Sequence, residues 1–404
     1  MNLTHAARRR GLIALMATNF LMFCGFFMVI PLVSVHYVEK LGFAAAVVGI
    51  ALALRQLFQQ GLTVAGGALA DRFGPRGLIG WGVFIRAIGF IWLAWAESPL
   101  QLFLAMILSA LGGALFDAPS RAAIAALATD ENRSRAYSLN ATFGGIGMTV
   151  GPLLGAWLIG VNFQIVCFVA AACFLLVLIA VAALPPLQIA EQGASAGAGL
   201  GMALRNRTFV LFTALLMGYW FMWVQLTISL PLATQRITGS SNSIGLIYAI
   251  NAGMTVLLQY PILRLVERWL RPFPILIIGV ALMALGLGSV AIVTNLPELA
   301  LCVGIFTCGT LLASPTQQSV TATLADSRAL GSYFGISSLA LAFGGSLGNL
   351  SGGLLIDLAQ HAGRPTLPWL VFSLIGLASA IGLALLAEKL VRRRATADLV
   401  QART

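Results

Sequence analysis

Charged residues are scarce in this chain. Asp, Glu, Lys and Arg together make up 9% of its 404 residues, whereas hydrophobic residues make up 59%. A soluble domain of average composition carries about 25% charged residues. The scarcity excludes an ordinary soluble globular protein and predicts a chain that lies in a lipid bilayer.

The chain also lacks the sequence features of an enzyme. Each of its three histidines lies at or near the end of a hydrophobic run, and no Gly-x4-Gly-Lys-Ser/Thr phosphate loop is present. Its five cysteines all fall within hydrophobic runs without metal-ligand spacing, so we expect them to be packing residues. We predict no enzymatic activity, no metal and no cofactor.

Twelve apolar stretches are long enough to cross a hydrocarbon core of about 30 Å, which takes about 20 helical residues. Backbone groups in lipid must pair within the protein, so these stretches are predicted to be helices. The predicted spans are residues 12–38, 45–69, 77–96, 100–128, 136–160, 163–184, 208–232, 243–263, 273–295, 297–324, 331–356 and 368–387. The predicted fold class is therefore an all-α membrane protein.

The basic residues predict the orientation. An even number of spans puts both termini on one side of the membrane. With the termini in the cytoplasm, 18 of the 24 Lys and Arg residues fall in cytoplasmic segments, three fall on the opposite side and three lie inside helices. This asymmetry predicts cytoplasmic termini in a multi-pass protein of the cell (inner) membrane. It also explains the net charge of +11 without a nucleic-acid partner.

An internal duplication sets the domain organisation. A shift of 196 residues aligns the first half with the second without gaps over several segments, and it matches Arg55 with Asn251 and Asp117 with Ala313. A stretch rich in Pro, Gly, Ala and Ser separates the halves and reads as a linker. The predicted parts are a six-helix half over 1–184, a cytoplasmic linker over 185–207, and a second six-helix half with a basic tail over 208–404.

Two motifs carry a family resemblance. Gly67-Ala-Leu-Ala-Asp71-Arg72-Phe-Gly74-Pro-Arg76 lies between the second and third spans, and Gly147-x3-Gly151-Pro152-x2-Gly155 lies in the fifth. The first resembles the cytoplasmic loop motif of the major facilitator superfamily, and the second resembles its antiporter motif. The resemblance implies two six-helix repeats that rock against each other around a substrate site near the bilayer midplane.

Two further stretches narrow the resemblance. Gly49-Ile-Ala-Leu-Ala-Leu-Arg55-Gln and Phe116-Asp117-x-Pro119 are similar to the MdtH-type multidrug-resistance transporters. This implies a monomeric secondary transporter that exports drug-like amphipathic compounds by alternating access, driven by a proton gradient. Na⁺ is the alternative coupling ion. An importer of a small metabolite, or a non-transporting membrane sensor or assembly factor, is the alternative function.

The loop motif is expected to form a cytoplasmic gate from Gly67, Asp71, Arg72, Gly74 and Arg76. The resemblance implies that the carboxylate of Asp71 docks at the N-terminus of the eleventh helix. Amide hydrogens and the helix dipole make such a terminus an anion site, worth about 0.3–2 kcal/mol. The alternative is a solvated loop charge that helps to enforce topology.

The antiporter motif places three glycines on one helix face. Gly147, Gly151 and Gly155 recur every four residues, which lets a neighbouring backbone approach closely. Pro152 removes a helical hydrogen bond and bends the helix there. The resemblance implies a seal between the two halves, and ordinary small-residue packing is the alternative.

Four charged residues lie inside predicted helices of the first half: Arg55, Arg86, Asp117 and Arg121. Each costs about 2.5–3.5 kcal/mol by insertion scales, so such residues face the protein interior or water. Asp117 is the only carboxylate within the core of a predicted span, and we predict that these four residues couple transport to protons. The alternatives are structural ion pairs of Asp117 with Arg86, or with Arg121 at spacing i, i+4.

A drug-binding chamber is expected from the helices that line the cavity in this fold, the first, fourth, seventh and tenth. Large aromatic side chains with scattered neutral polar groups suit varied amphipathic ligands. Lipid-facing aromatic side chains are the alternative. The candidate substrate-binding residues are Asn19, Phe23, Phe26, Gln59, Tyr219, Trp220, Trp223, Gln225, Asn251 and Ser314.

Overall fold

The computed structural model describes residues 4–128, 133–182, 184–185, 196–240, 242–326 and 330–401. Within these ranges the regular secondary structure is entirely helical, which confirms the predicted all-α fold class. In the described part of the chain, twelve helices or helical stretches are long and apolar enough to cross a membrane. They coincide with the twelve predicted spans, whose existence is therefore confirmed.

The described residues of the first half form six α-helices. A capping box starts the fourth: the Ser98 hydroxyl accepts a hydrogen bond from the Gln101 amide, the Gln101 side chain accepts one from the Ser98 amide, and Pro99 follows the cap. A π-helical turn, His36–Lys40, extends the first helix. The six are α1 (His5–Val35), α2 (Ala45–Phe73), α3 (Pro75–Leu93), α4 (Pro99–Leu127), α5 (Arg133–Leu158) and α6 (Phe163–Ala182).

The remaining chain contains nine described α-helices, because two spans are interrupted and the linker region holds a short helix. A 3₁₀ turn, Val224–Leu226, divides the seventh span, and a π-helical turn, Ala340–Gly345, divides the eleventh. The helices are α7 (Ala196–Arg205), α8 (Arg207–Trp223), α9 (Ser229–Thr238), α10 (Asn242–Glu267), α11 (Pro272–Ser289), α12 (Leu296–Leu324), α13 (Leu330–Leu339), α14 (Ser346–His361) and α15 (Leu367–Gln401).

The compact units of the structure differ from the halves of the sequence repeat. The first unit contains residues 1–193 together with 226–252 and 349–357, and the second contains 194–225, 253–348 and 358–404. All of α9 and pieces of α10 and α14, which belong to the second repeat, therefore group with the first repeat. The sequence repeat alone does not predict this exchange.

Candidate functional site

Two buried arginines of the first unit share one aromatic ring. Arg55 on α2 is 7% exposed and Arg86 on α3 is 4% exposed. The guanidinium carbon of each lies 4.8 Å from the ring centre of Phe26 on α1, and Arg86 also lies 5.4 Å from the ring of Phe174 on α6. Such cation–π contacts are worth up to about 2 kcal/mol when desolvated. Phe26, expected to touch substrate, thus lies against two arginines.

Gln59 on α2 links these arginines to Asp117 on α4. Its side-chain oxygen accepts a hydrogen bond of 2.9 Å from Nη1 of Arg55, and its Nε2 donates one of 3.0 Å to Oδ2 of Asp117. Nη2 of Arg55 donates to Oε1 of Gln56 at 2.8 Å. The half-buried carboxylate therefore interacts with Arg55 through a neutral amide.

The ion pairs weighed in the sequence do not form in the structure. Among the described residues, neither Arg86 nor Arg121 forms a salt bridge with Asp117, and Asp117 accepts a hydrogen bond from Gln59. Arg121 is exposed, and its backbone oxygen accepts a hydrogen bond from Tyr137. The cluster thus holds two guanidinium groups and one carboxylate, and the favourable i, i+4 spacing of Asp117 and Arg121 did not decide the pairing.

Glycines on α4 make room for the cluster, a role that sequence reasoning missed. A Cβ on Gly113 would lie 2.7 Å from Cδ of Gln59 and 3.0 Å from Nη1 of Arg86. A Cβ on Gly112 would lie 2.6 Å from the backbone nitrogen of Arg86. The two adjacent glycines were the available signal in the sequence for this close approach of α3 and α4.

The other substrate candidates of the first unit differ in environment. Asn19 is buried, and its Nδ2 donates a hydrogen bond of 2.7 Å to the backbone oxygen of Asn140, so it joins α1 to α5. Phe23 is half-buried and stacks on Phe27 with ring centres 6.2 Å apart. Asn251 on α10 is half-buried. Asn19 thus has a packing contact in addition to its expected role.

The candidates of the second unit include a continuous aromatic series. The ring of Trp220 lies edge-on to Tyr219 at 4.9 Å and to Trp223 at 5.6 Å. Both tryptophans and Ser314 are half-buried, whereas Tyr219 is buried. Gln225 is 0% exposed, and its Nε2 donates to the backbone oxygens of Phe221 and Gly348. Gln225 thus has packing contacts just beyond α8 in addition to its expected role.

The glycine face of α5 packs against α1. A Cβ on Gly147 or Gly151 would lie 2.5 Å from a backbone oxygen of α1, and one on Gly155 would lie closer still. The oxygens are those of Phe20, Cys24 and Met28. The close approach that the motif provides is thus inside the first six-helix half, whereas the resemblance implied a seal between halves.

Pro152 and Ala156 lie next to the glycine face of α5. Pro152 lies inside α5 and is buried. Ala156, the residue after the last glycine of the motif, faces α10: a Cβ on Gly245 would lie 2.7 Å from its Cβ. A contact with the second repeat therefore exists one residue beyond the glycine face.

The loop motif is described in part. Gly67, Asp71 and Arg72 belong to the last turns of α2, and their side chains lie outside the described part of the structure. Gly74 has φ of 79° and precedes α3, a conformation that favours glycine. Nη2 of Arg76 donates a hydrogen bond of 2.8 Å to the backbone oxygen of Ala182 at the end of α6. Arg76 thus satisfies a carbonyl left free at a helix C-terminus.

Comparisons of the sequence agree with this architecture. A family model described as the Major Facilitator Superfamily matches residues 15–349 and 226–402. The chain is 41% identical over 384 residues to the multidrug resistance protein MdtH of Yersinia enterocolitica, covering 95% of this chain and 96% of the relative. It is 39% identical over 376 residues to MdtH of Aeromonas salmonicida, covering 93% and 95%.

Solved structures share the fold at low sequence identity. A crystal structure of the nucleoside transporter NupG superposes with a TM-score of 0.78 at 16% identity, covering 93% of this chain and 99% of that one. A POT family transporter superposes with a TM-score of 0.78 at 15% identity, covering 94% and 96%. At such identities the likeness concerns the fold alone.

Proposed function

The chain belongs to the major facilitator superfamily, and on that premise we propose that it exports drug-like amphipathic compounds in exchange for protons. It is a transporter and not an enzyme. Relatives named multidrug resistance proteins that match almost its whole length support small, varied substrates. Folds of this kind carry the substrate site near the bilayer midplane between the two repeats.

The observation that carries the proposal is the bridge from Asp117 to Arg55 through Gln59. An ionisable side chain inside a span is a functional candidate, because burying it without a purpose is costly. The second repeat has Ala313 where the first has Asp117, so the scaffold folds without a carboxylate there. In the proposal, Asp117 takes up a proton on one side of the membrane and releases it on the other.

The proposed setting is the cell (inner) membrane with both termini in the cytoplasm. The excess of basic residues in the segments that this orientation makes cytoplasmic supports it. The proposed transporter works as a monomer by alternating access, and the proton gradient supplies its energy. In this orientation the connection between α1 and α2 lies on the side of the membrane opposite the cytoplasm.

Substrate-induced proton release tests the function directly. Purified protein in weakly buffered solution is mixed with candidate compounds, and the pH change is recorded. We expect compounds that are exported to release protons, because substrate and proton compete for one binding state. Proton uptake on binding would indicate a symporter. Transport that a Na⁺ gradient alone can drive would identify Na⁺ as the coupling ion in place of the proton. Absence of solute flux in vesicles would favour a sensor.

Trp223→Ala is expected to change the substrate profile unevenly. We expect some compounds to lose about tenfold in apparent affinity and others less than about twofold, because an aromatic contact of roughly 0.5–1.5 kcal/mol depends on ligand shape. Binding of a panel of compounds by the purified variant measures this. Trp157→Ala is the matched control, since that side chain is 76% exposed. A uniform loss with reduced protein level would assign Trp223 to packing.

Asp71→Asn is expected to leave the protein folded in the membrane, shift it toward the inward-open state and lower efflux. Removing the charge removes the proposed attraction to a helix N-terminus, about 0.3–2 kcal/mol. Cysteine accessibility at the cytoplasmic face measures the shift. Glu267→Gln is the matched control, because the repeat aligns Glu267 with Asp71. Unchanged accessibility together with unchanged efflux would return Asp71 to a topological role.

A further inference from the structure

A carboxylate on α14 caps the start of α2. Oδ1 of Asp357 accepts a hydrogen bond of 2.9 Å from the backbone nitrogen of Ala45, and Oδ2 accepts one of 2.7 Å from that of Ala46. These amides belong to the first turn of α2, where the N–H groups have no partner inside the helix. The contact joins opposite charges as well, because a helix N-terminus carries a partial positive charge.

Close backbone packing surrounds this contact. A Cβ on Gly49 would lie 2.5 Å from the backbone oxygen of Asn349 and 3.2 Å from Cα of Gly353. Gly353, one turn before Asp357, faces the backbone oxygen of Ala45. Glycines on both helices therefore let α2 and α14 touch along a full turn, and this fixes the carboxylate opposite the two amides.

Two other polar contacts at this end of the first unit are weaker. Glu39 and Arg236 form an ion pair of 3.0 Å whose side chains are 29% and 33% exposed. Exposed pairs of this kind contribute about 0–1 kcal/mol. The Ser34 hydroxyl lies 3.5 Å from the backbone oxygen of Thr227, at the limit of a hydrogen bond. Asp357 is thus the charged group at this end that makes two short bonds to a helix terminus.

We propose that Asp357 is a latch that holds the outer face of the transporter closed. The proposal rests on the alternating-access function proposed above, and it assigns one of its two gates to a residue. Opening that face separates residues 349–357 from α2, so both hydrogen bonds break together. The amides of Ala45 and Ala46 then donate to water instead. The latch is a charge-assisted contact without covalent chemistry, and it biases the population of states.

Labelling of a reporter cysteine tests the latch. Asn349 is 2% exposed in the contact between α14 and α2, and Asn349→Cys introduces a smaller side chain there. In a background without the native cysteines, a membrane-impermeant maleimide is added to the outer side of right-side-out vesicles. We expect Asp357→Asn to raise the labelling rate about tenfold, the difference between a charged and a neutral hydrogen-bonded contact.

Two further variants make the outcome decisive. Glu39→Gln removes a different acid at the same end and is expected to change the rate less than about twofold, since its ion pair is exposed. Asp357→Ser removes the charge without added bulk and takes the place of Asp357→Asn if that variant is not recovered folded. Labelling of the folded variant at the wild-type rate, or an equal rise in Glu39→Gln, would overturn the latch.

Labelling needs neither substrate nor a proton gradient, so it separates the latch from the proposed function. A transporter with no substrate-induced proton release still shows the tenfold rise if Asp357 closes the outer face. If the protein is a proton-coupled exporter but Asp357→Asn does not raise the labelling rate, contacts other than Asp357 close the outer face.

Discussion

Asp117→Asn is expected to abolish gradient-driven efflux and substrate-induced proton release while at least some drug binding survives. The substitution removes the group that is proposed to carry the proton and preserves its shape. Nε2 of Gln59 can donate to the Asn oxygen as it does to Oδ2 of Asp117. Arg55 keeps its bonds to Gln56 and Gln59, and Arg86 keeps its contact with Phe26. We therefore expect a folded protein.

The measurement is transport by protein reconstituted in vesicles with an imposed proton gradient, together with ligand binding in detergent. Glu97→Gln is the control, because Glu97 is an exposed acid just before α4. Full proton-coupled transport by Asp117→Asn would contradict the coupling role and direct attention to acids at helix ends. Loss of folded protein together with loss of binding would make the Gln59 bridge structural.

Gly155→Val is expected to reduce the yield of folded protein sharply. Any side chain at this position meets the backbone oxygen of Met28 on α1. A backbone oxygen within a helix cannot rotate away as a side chain can. The two helices would have to separate along their length. Overpacking of this kind costs about 1–3 kcal/mol and sometimes more, a large fraction of the stability of a typical protein.

The matched control is Gly145→Val on the same helix, where an added Cβ meets no atom within 4 Å. Both variants carry the same change in helix propensity, so the difference between them isolates the contact with α1. Thermal stability in detergent and elution as a single species measure it. Equal stability of the two variants would show that α1 and α5 do not pack as described.

The spans were predictable because a run of apolar residues leaves the backbone no other structure in lipid. Interruptions of the helices were not. The seventh predicted span, 208–232, begins as α8 and continues through the 3₁₀ turn Val224–Leu226 into α9. Hydropathy does not register such a break. The side-chain amide of Gln225 stabilises the break, because it donates hydrogen bonds to the backbone oxygens of Phe221 on α8 and of Gly348. Sequence spacing does not predict Gly348 as the partner.

The charged residues of the cluster were predictable, and their partners were not. Rarity inside apolar runs was enough to select Arg55, Arg86 and Asp117. The pairing of these side chains depends on the faces with which α2, α3 and α4 pack against one another. Glycines on α4 allow α2 and α3 to come close to it. The i, i+4 rule describes isolated helices. In the packed structure an amide on α2 reaches Asp117 instead.

Mechanically, the glycine contact makes α1 and α5 behave as one stiff rod. The second unit repeats the arrangement, with a Cβ on Gly348 only 2.6 Å from the backbone oxygen of Phe221 on α8. Helices whose backbones touch cannot slide without lifting off each other. In the second unit the two spans in contact are themselves interrupted, by the 3₁₀ turn Val224–Leu226 and the π-helical turn Ala340–Gly345, whereas α1 and α5 are regular α-helices where they touch. We expect α1 and α5 to move as one body, so that a displacement of the pair at one membrane face also moves it at the other.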